Sequence, residues 1–251
     1  MLKEIIIAIQ SYYLAHQFIV KHRLWKWIFI PGIIYSLLFC IGIYLFWISS
    51  GNAIDYFISV TGLKRWMFTM EGSWLKFLFI FGQIILQLLM ILFYFSLFKY
   101  IFLIVGSPLF AYLSEKTSSI MENREFPFSF NQLIKDIGRG INLALRNAVW
   151  QTVYTISILI LSFIPLFGWF TPLFALLIEC YFLGFSMLDY SCERNKLSPS
   201  QSIAFVSGHK GLAIGNGVVF YLMHLVVLVG WILAPTYAVI AATISMHKTR
   251  E

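Results

Sequence analysis

Charge is what this sequence has least of. Only 12% of its 251 residues are Asp, Glu, Lys or Arg while 60% are hydrophobic, and a soluble domain carries roughly a quarter of its residues charged to cover its surface. That deficit excludes a fold exposed to water on all sides. Cysteine is scarce as well: Cys40, Cys180 and Cys192 are dispersed without CxxC spacing, and two of them lie inside apolar runs. A disulfide framework and a thiolate metal site are not suggested, and the three read as packing residues.

Catalytic patterns are missing too. There is no HExxH, GxSxG, P-loop or dinucleotide glycine pattern, and His16, His22, His209, His224 and His247 are not spaced as ligand pairs. No enzymatic activity, metal or cofactor is therefore expected. Residues 1–23 lack the basic head, compact apolar stretch and small-residue cleavage site of an export signal, so no cleavage is expected. No Pro/Ser-rich linker, acidic tail or low-complexity tract divides the chain, which predicts one helical membrane domain over 1–251.

What the sequence does have is long uncharged runs. Residues 27–48 form a run of 22, enough at ~1.5 Å per residue to cover a ~30 Å hydrocarbon core, and are the first predicted span. Trp25, Trp27 and Trp47 sit at its ends like interfacial anchors. A second span is predicted over 77–105, ended by Gly106, Ser107 and Pro108, because Pro cannot continue the hydrogen-bond ladder. From 109 to 146 the chain turns mixed and charged. Ser129 and Gln132 are spaced as a capping box for an interfacial helix there, and Ser198, Pro199, Ser200 and Gln201 form a second box opening a short helix that Gly208 closes. Residues 4–22 mix apolar and polar positions, as suits a helix in the headgroup plane or a cap packed on other helices.

The remaining apolar mass falls in two blocks, 147–188 and 211–246, each interrupted by Gly and Pro. Residues 166–172 resemble 228–235 apart from one inserted residue, suggesting a repeat of helical hairpins. The second block has only 36 residues, while two spans need about 20 each plus a turn. A break at Gly230 would leave an arm over 231–246 of about 24 Å, short of the core. Neither tip carries a charged or strongly polar side chain. Hairpins that enter the membrane and return without crossing explain both facts, provided their tips meet protein or a wet cavity.

The fold class predicted is thus all-α integral membrane, with two long transmembrane helices, two hemi-penetrating hairpins and amphipathic interfacial helices. With the N-terminus inside, the cytoplasmic segments hold 14 of the 18 Lys and Arg, against 3 in loop 49–76, which predicts cytoplasmic termini. The net charge of +7 then points to anionic lipid or an anionic solute and not to nucleic acid. Lys21, His22, Arg23 and Lys26 gather where a helix start favours an anion, making Arg23 and Lys26 the leading anion-binding candidates, with His209 and Lys210 secondary. Gln83, Gln87, Gln151 and Glu179 are polar groups inside apolar stretches, and could bond helix to helix or line a permeation path. His224 is a weaker case of the same kind.

The order of these pieces resembles the CysZ-type sulfate permease family, the bacterial branch of the etoposide-induced membrane protein fold. The resemblance rests on the amphipathic start, the basic motif before the first span, Ser107-Pro108-Leu109-Phe110, Ile164-Pro165-Leu166-Phe167-Gly168, Met187-Leu188-Asp189-Tyr190 and the closing hairpin. It implies hemi-penetrating hairpins, homo-oligomers, a bacterial inner-membrane location, and passive sulfate uptake that feeds cysteine synthesis. It also implies a Gly-apolar-Arg-Arg sulfate motif, which alignment on Pro31 puts at Arg23, Leu24, Trp25 and Lys26. Glycine and one arginine are replaced here, and the last basic position survives as lysine. The reading from a different class is a non-transporting membrane scaffold or assembly protein whose cytoplasmic helices bind protein or lipid.

Overall fold

In lipid, backbone N–H and C=O groups find partners only within the chain, so a sequence this apolar is driven to helices. The computed structural model describes the backbone of residues 1–60, 62, 73–124, 130–162, 170–226 and 229–249, and within helices leaves out the side chains at 31, 57, 73, 75, 78–79, 81–97, 99, 130–133, 136–137, 159 and 162. Among the described residues every regular element is an α-helix: α1 Leu2–Lys21, α2 Trp25–Val60, α3 Ser73–Met121, α4 Phe130–Ser162, α5 Thr171–Arg194, α6 Pro199–Gly208, α7 Lys210–His224 and α8 Val229–Lys248. By length and composition α2, α5 and α8 can each cross a membrane. The residues expected at 165–168 for the first hairpin tip, most of the first repeat copy, and Ser129 of the first capping box lie outside the described residues.

The described residues form two compact units, one of Met1–Ser36 with Phe102–Glu251 and the other of Leu37–Ile101. In the smaller unit Phe39 and Phe98 meet edge to face, ring centroids 5.1 Å apart, and both are buried. In the larger unit α8 is the centre. Its residues 234–246 are buried on every side, as expected of a helix without a polar face, and α1, α5 and α7 pack on it. Three hydroxyls tie α3, α5 and α8 together: Ser191 lies 2.9 Å from Thr243, and Ser114 lies 3.2 and 3.1 Å from the two.

Bare backbone makes the closest contacts. A Cβ on Gly184 of α5 would strike the Ala213 carbonyl of α7, and one on Gly217 of α7 would strike that of Cys180. Gly211 and Gly215 face α1 in the same way, at Met1, Glu4, Ile5 and Ala8. Small residues four apart let helices approach closely where no hydrophobic force drives them together. Thus α1 is a packed helix with Ala8, Ser11, Tyr12, Ala15 and Ile19 buried, which is the second of the two readings offered by its sequence.

Three helix ends share one geometry. After α1, Leu24 N–H donates to Ile19 O at 3.1 Å and Arg23 N–H to Val20 O at 3.3 Å, the paired bonds of a Schellman turn. The same pair follows α3 at Asn123 and Arg124, and α5 at Lys196 and Leu197. Arg23, Asn123 and Lys196 accordingly have φ of 53°, 49° and 58°. The Ser198 capping box forms as expected, with Gln201 N–H donating to Ser198 Oγ at 3.3 Å and Ser198 N–H to Gln201 Oε1 at 2.8 Å.

Two expected breaks do not occur. α3 continues through Gly106, Ser107 and Pro108, because the Ile104 carbonyl that Pro108 leaves without a partner accepts from Ser107 Oγ at 2.8 Å. Gly230 is likewise inside α8, whose 20 residues run to Lys248, so that arm reaches about 30 Å. Its partner α7 has 15 residues, about 22 Å, and falls short of a full crossing.

Candidate anion site at the turn between the first two helices

The turn from α1 to α2 is built by two apolar residues and displays two cations. Ile19 and Leu24 are buried together, the apolar contact that accompanies a Schellman turn. Between them Arg23 must adopt the left-handed conformation, where its side chain is exposed. This is the position at which the resembling motif carries glycine, so the glycine-like backbone is kept although the glycine is not. An L-residue in that region costs about 1 kcal/mol.

Lys26 follows in the first turn of α2 and is also exposed. Among the described residues no carboxylate lies within ion-pair distance of either cation. First-turn N–H groups of a helix have no intrahelical acceptor, so this start adds partial positive charge to that of the side chains. His22 adds none at neutral pH: its partial burial, and then the neighbouring Lys21, hold its pKa below the ordinary histidine value. His16 anchors the turn from below, with Nδ1 2.7 Å from the Tyr237 hydroxyl and its ring edge-on to Trp25 at 6.4 Å.

Lys116 of α3 joins this rim and was not legible in the sequence. Its Nζ stands 4.9 Å from the Trp27 ring centroid, and Trp27 packs against Tyr112 with centroids 4.3 Å apart and the rings tilted by 32°. Nothing local in the chain signals a contact across 89 positions.

His209 and Lys210 are not brought to this turn. Glu4 accepts from Gly211 N–H at 3.0 Å, which sets the start of α1 beside the start of α7, and Arg23 lies at the other end of α1, about 25 Å further on. His209 forms the corner where α6 and α7 meet at 84°. Its Nδ1 donates to Phe205 O at 2.9 Å. Lys210 instead lines a cleft of about 520 Å³ together with Arg146.

The polar groups within the apolar stretches split. Gln83 and Gln87 lie on α3 with side chains outside the described residues. Gln151 is buried and donates to Glu179 Oε1 at 2.5 Å, while Tyr221 O–H donates to Glu179 Oε2 at 2.8 Å. One carboxylate therefore joins α4, α5 and α7. His224 Nε2 hydrogen-bonds the Tyr35 hydroxyl at 2.9 Å, which fixes the end of α7 to α2. There a Cβ on Gly32 would overlap the Ile232 backbone. Tyr35 and Tyr221 were missed in the sequence because their partners come from distant helices.

A second charged cluster pairs its guanidinium with carboxylates. Arg139 of α4 donates to Asp189 Oδ1 at 2.9 Å, to Ser202 Oγ at 2.6 Å and to the Leu197 carbonyl, and its Nε is 3.6 Å from Glu193 Oε1. Among the described residues no group of three or more His, Cys, Asp or Glu could hold a metal.

Long apolar helices with exposed Ile, Leu and Phe side chains, the regular elements of the described residues, define an all-helical membrane protein. The family described as sulfate transporter CysZ/etoposide-induced protein 2.4 matches residues 13–235, and the chain belongs to it. That family is one of transporters, not enzymes. Among relatives, the sulfate transporter CysZ of Pseudomonas aeruginosa PAO1 is 28% identical over 176 residues, covering 68% of this chain and 70% of the relative. Those of Pseudomonas fluorescens Pf0-1 and Pseudomonas syringae pv. tomato are 26% identical over 191 residues (74% and 76% covered) and 24% over 200 residues (77% and 78%).

Proposed function

We propose that the chain is a passive permease for a small oxyanion, sulfate foremost, in the bacterial inner membrane, with both termini cytoplasmic and with uptake serving cysteine synthesis. Membership of a family whose relatives are sulfate transporters supports the substrate. The observation that carries the reading is the α1–α2 turn, where Arg23 in the turn and Lys26 in the first turn of α2 are exposed with no carboxylate of the described residues within ion-pair distance. There they draw and hold the anion. The Glu179 cluster holds α4, α5 and α7 together in this reading, since a carboxylate in the path would repel a dianion.

The second hairpin enters the membrane and returns without crossing. Supporting this are the short α7 arm, the contact of its end residue His224 with Tyr35, and the close approach of Ile232 on α8 to Gly32, both α2 residues lying in the first half of the 27–48 run. The first hairpin has the same design, and the protein works as a homo-oligomer.

Uptake of radiolabelled sulfate into proteoliposomes tests the function. Uptake above empty vesicles that falls in Arg23→Gln/Lys26→Gln supports the permease. Folded protein with no uptake would instead favour a non-transporting scaffold, whose loss on the same substitution would be partner or lipid binding.

A further inference from the structure

Arg146 and Lys210 stand where charged sequence gives way to apolar sequence: each immediately precedes one of the two hairpin blocks, at 147 and 211. In the fold they line one cleft of about 520 Å³. Neither forms an ion pair with a carboxylate among the described residues. Arg146 is held in place by its Nη1 donating to Asn147 Oδ1 at 3.0 Å and by the Phe185 ring, 5.8 Å below the guanidinium. Ser207 and Tyr181 bring hydroxyls to the same end.

Away from the cations the lining changes character. On α4 the residues below Arg146 are Trp150 and Tyr154, successive steps of four along one stripe. The facing wall of α5 descends from Tyr181 through Leu177 to Phe174. From Arg146 to Tyr154 this apolar trough runs about 12 Å. Trp150, Tyr154 and Phe174 are each about half exposed, so the trough opens sideways and not only at the cationic end.

We infer that this cleft seats one anionic phospholipid, its phosphate between Arg146 and Lys210 and an acyl chain along the trough. The planar guanidinium fork matches phosphate oxygens and the lysine adds a point charge. Paired cations at the end of an apolar groove are the headgroup chemistry that anionic lipid selects. A free oxyanion fits less well, because pockets of several hundred Å³ with aromatic walls suit amphiphiles and offer a small ion few donors. The inference rests on the membrane fold and not on what the protein transports.

Native mass spectrometry of the full-length protein, exchanged into an equimolar mixture of phosphatidylglycerol and phosphatidylcholine with identical acyl chains, tests it. The first bound lipid should be phosphatidylglycerol by at least fivefold. Arg146→Gln/Lys210→Gln should remove that preference, whereas Arg23→Gln/Lys26→Gln should keep it. Trp150→Ala should weaken retention of both lipids. If the double variant does not elute as a single species, Lys210→Glu, at an exposed position, should remove the preference alone. Equal retention of the two lipids by the unaltered protein, or a preference that survives neutralisation, would overturn the assignment. So would release of the lipid by millimolar sulfate or inorganic phosphate, which would give the cleft to a soluble anion.

Discussion

Positive charge is handled in opposite ways at two places in the larger unit. Where α4, α5 and α6 meet, Arg139 is surrounded by Asp189, Glu193, Ser202 and the Leu197 carbonyl, and nearby Arg194 lies 3.9 Å from Glu122. At the α1–α2 turn, Arg23 and Lys26 are exposed, with no acid of the described residues beside them. The first arrangement closes its charges into a knot, and the second keeps them available to something that is not protein. A basic residue in this chain is thus a candidate for a ligand only where the fold has declined to match it.

Breaking the knot should give the largest effect. Arg139→Met leaves the buried Asp189 carboxylate without its guanidinium, a loss of about 3–5 kcal/mol, read as a fall in the thermal midpoint of the detergent-solubilised protein. An unchanged midpoint would mean that the cluster does not tie the three helices. Neutralising the open cations should act differently: Arg23→Gln/Lys26→Gln should lower sulfate uptake at least tenfold while leaving the midpoint in place. A shift in both quantities together would erase the contrast.

Smaller effects sharpen it. Arg23→Gly removes one charge but relieves the left-handed strain, so stability should rise by about 1 kcal/mol while uptake falls less than in the double variant. A loss of stability would show that Arg23 packs as well as displays charge. The pH dependence should be the weakest signal. His22 has a depressed pKa and is neutral at pH 7, so uptake should be flat from about pH 8 to 7 and rise only below the ordinary histidine range, where the ring gains a proton. His22→Asn should abolish that rise, and an equal rise in the variant would assign it elsewhere. The same depression makes this residue mildly destabilising in acid, since the unfolded chain takes up its proton first.

Much of the scaffold could be read from hydropathy alone. The long apolar helices, the Ser198 box and the basic turn all follow from local pattern, because lipid leaves the backbone little choice. Helix ends were harder. A helix need not stop where its apolar run does, and α2 extends from 27–48 to Trp25–Val60. Ser107 hid the continuity of α3 by supplying the hydrogen-bond donor that Pro108 lacks. The Schellman turn at Arg23 was masked by the absence of glycine, although Ile19 and Leu24 were its apolar signature. The spacings Cys180 to Gly184, Gly211 to Gly215 and Ala213 to Gly217 were present in the sequence as small residues four apart, and they mark the closest helix contacts. Arg146 and Lys116 gave no local signal, since their neighbours come from elsewhere in the chain.

The glycine contacts of α7 carry a mechanical consequence. Interfaces made of bare backbone have no side-chain torsions to readjust, so α1, α5 and α7 cannot slide past one another by small repacking steps. They shift as one block or not at all. Relative movement in the larger unit is therefore easiest at the margins of that block, in its turns and not along its helices.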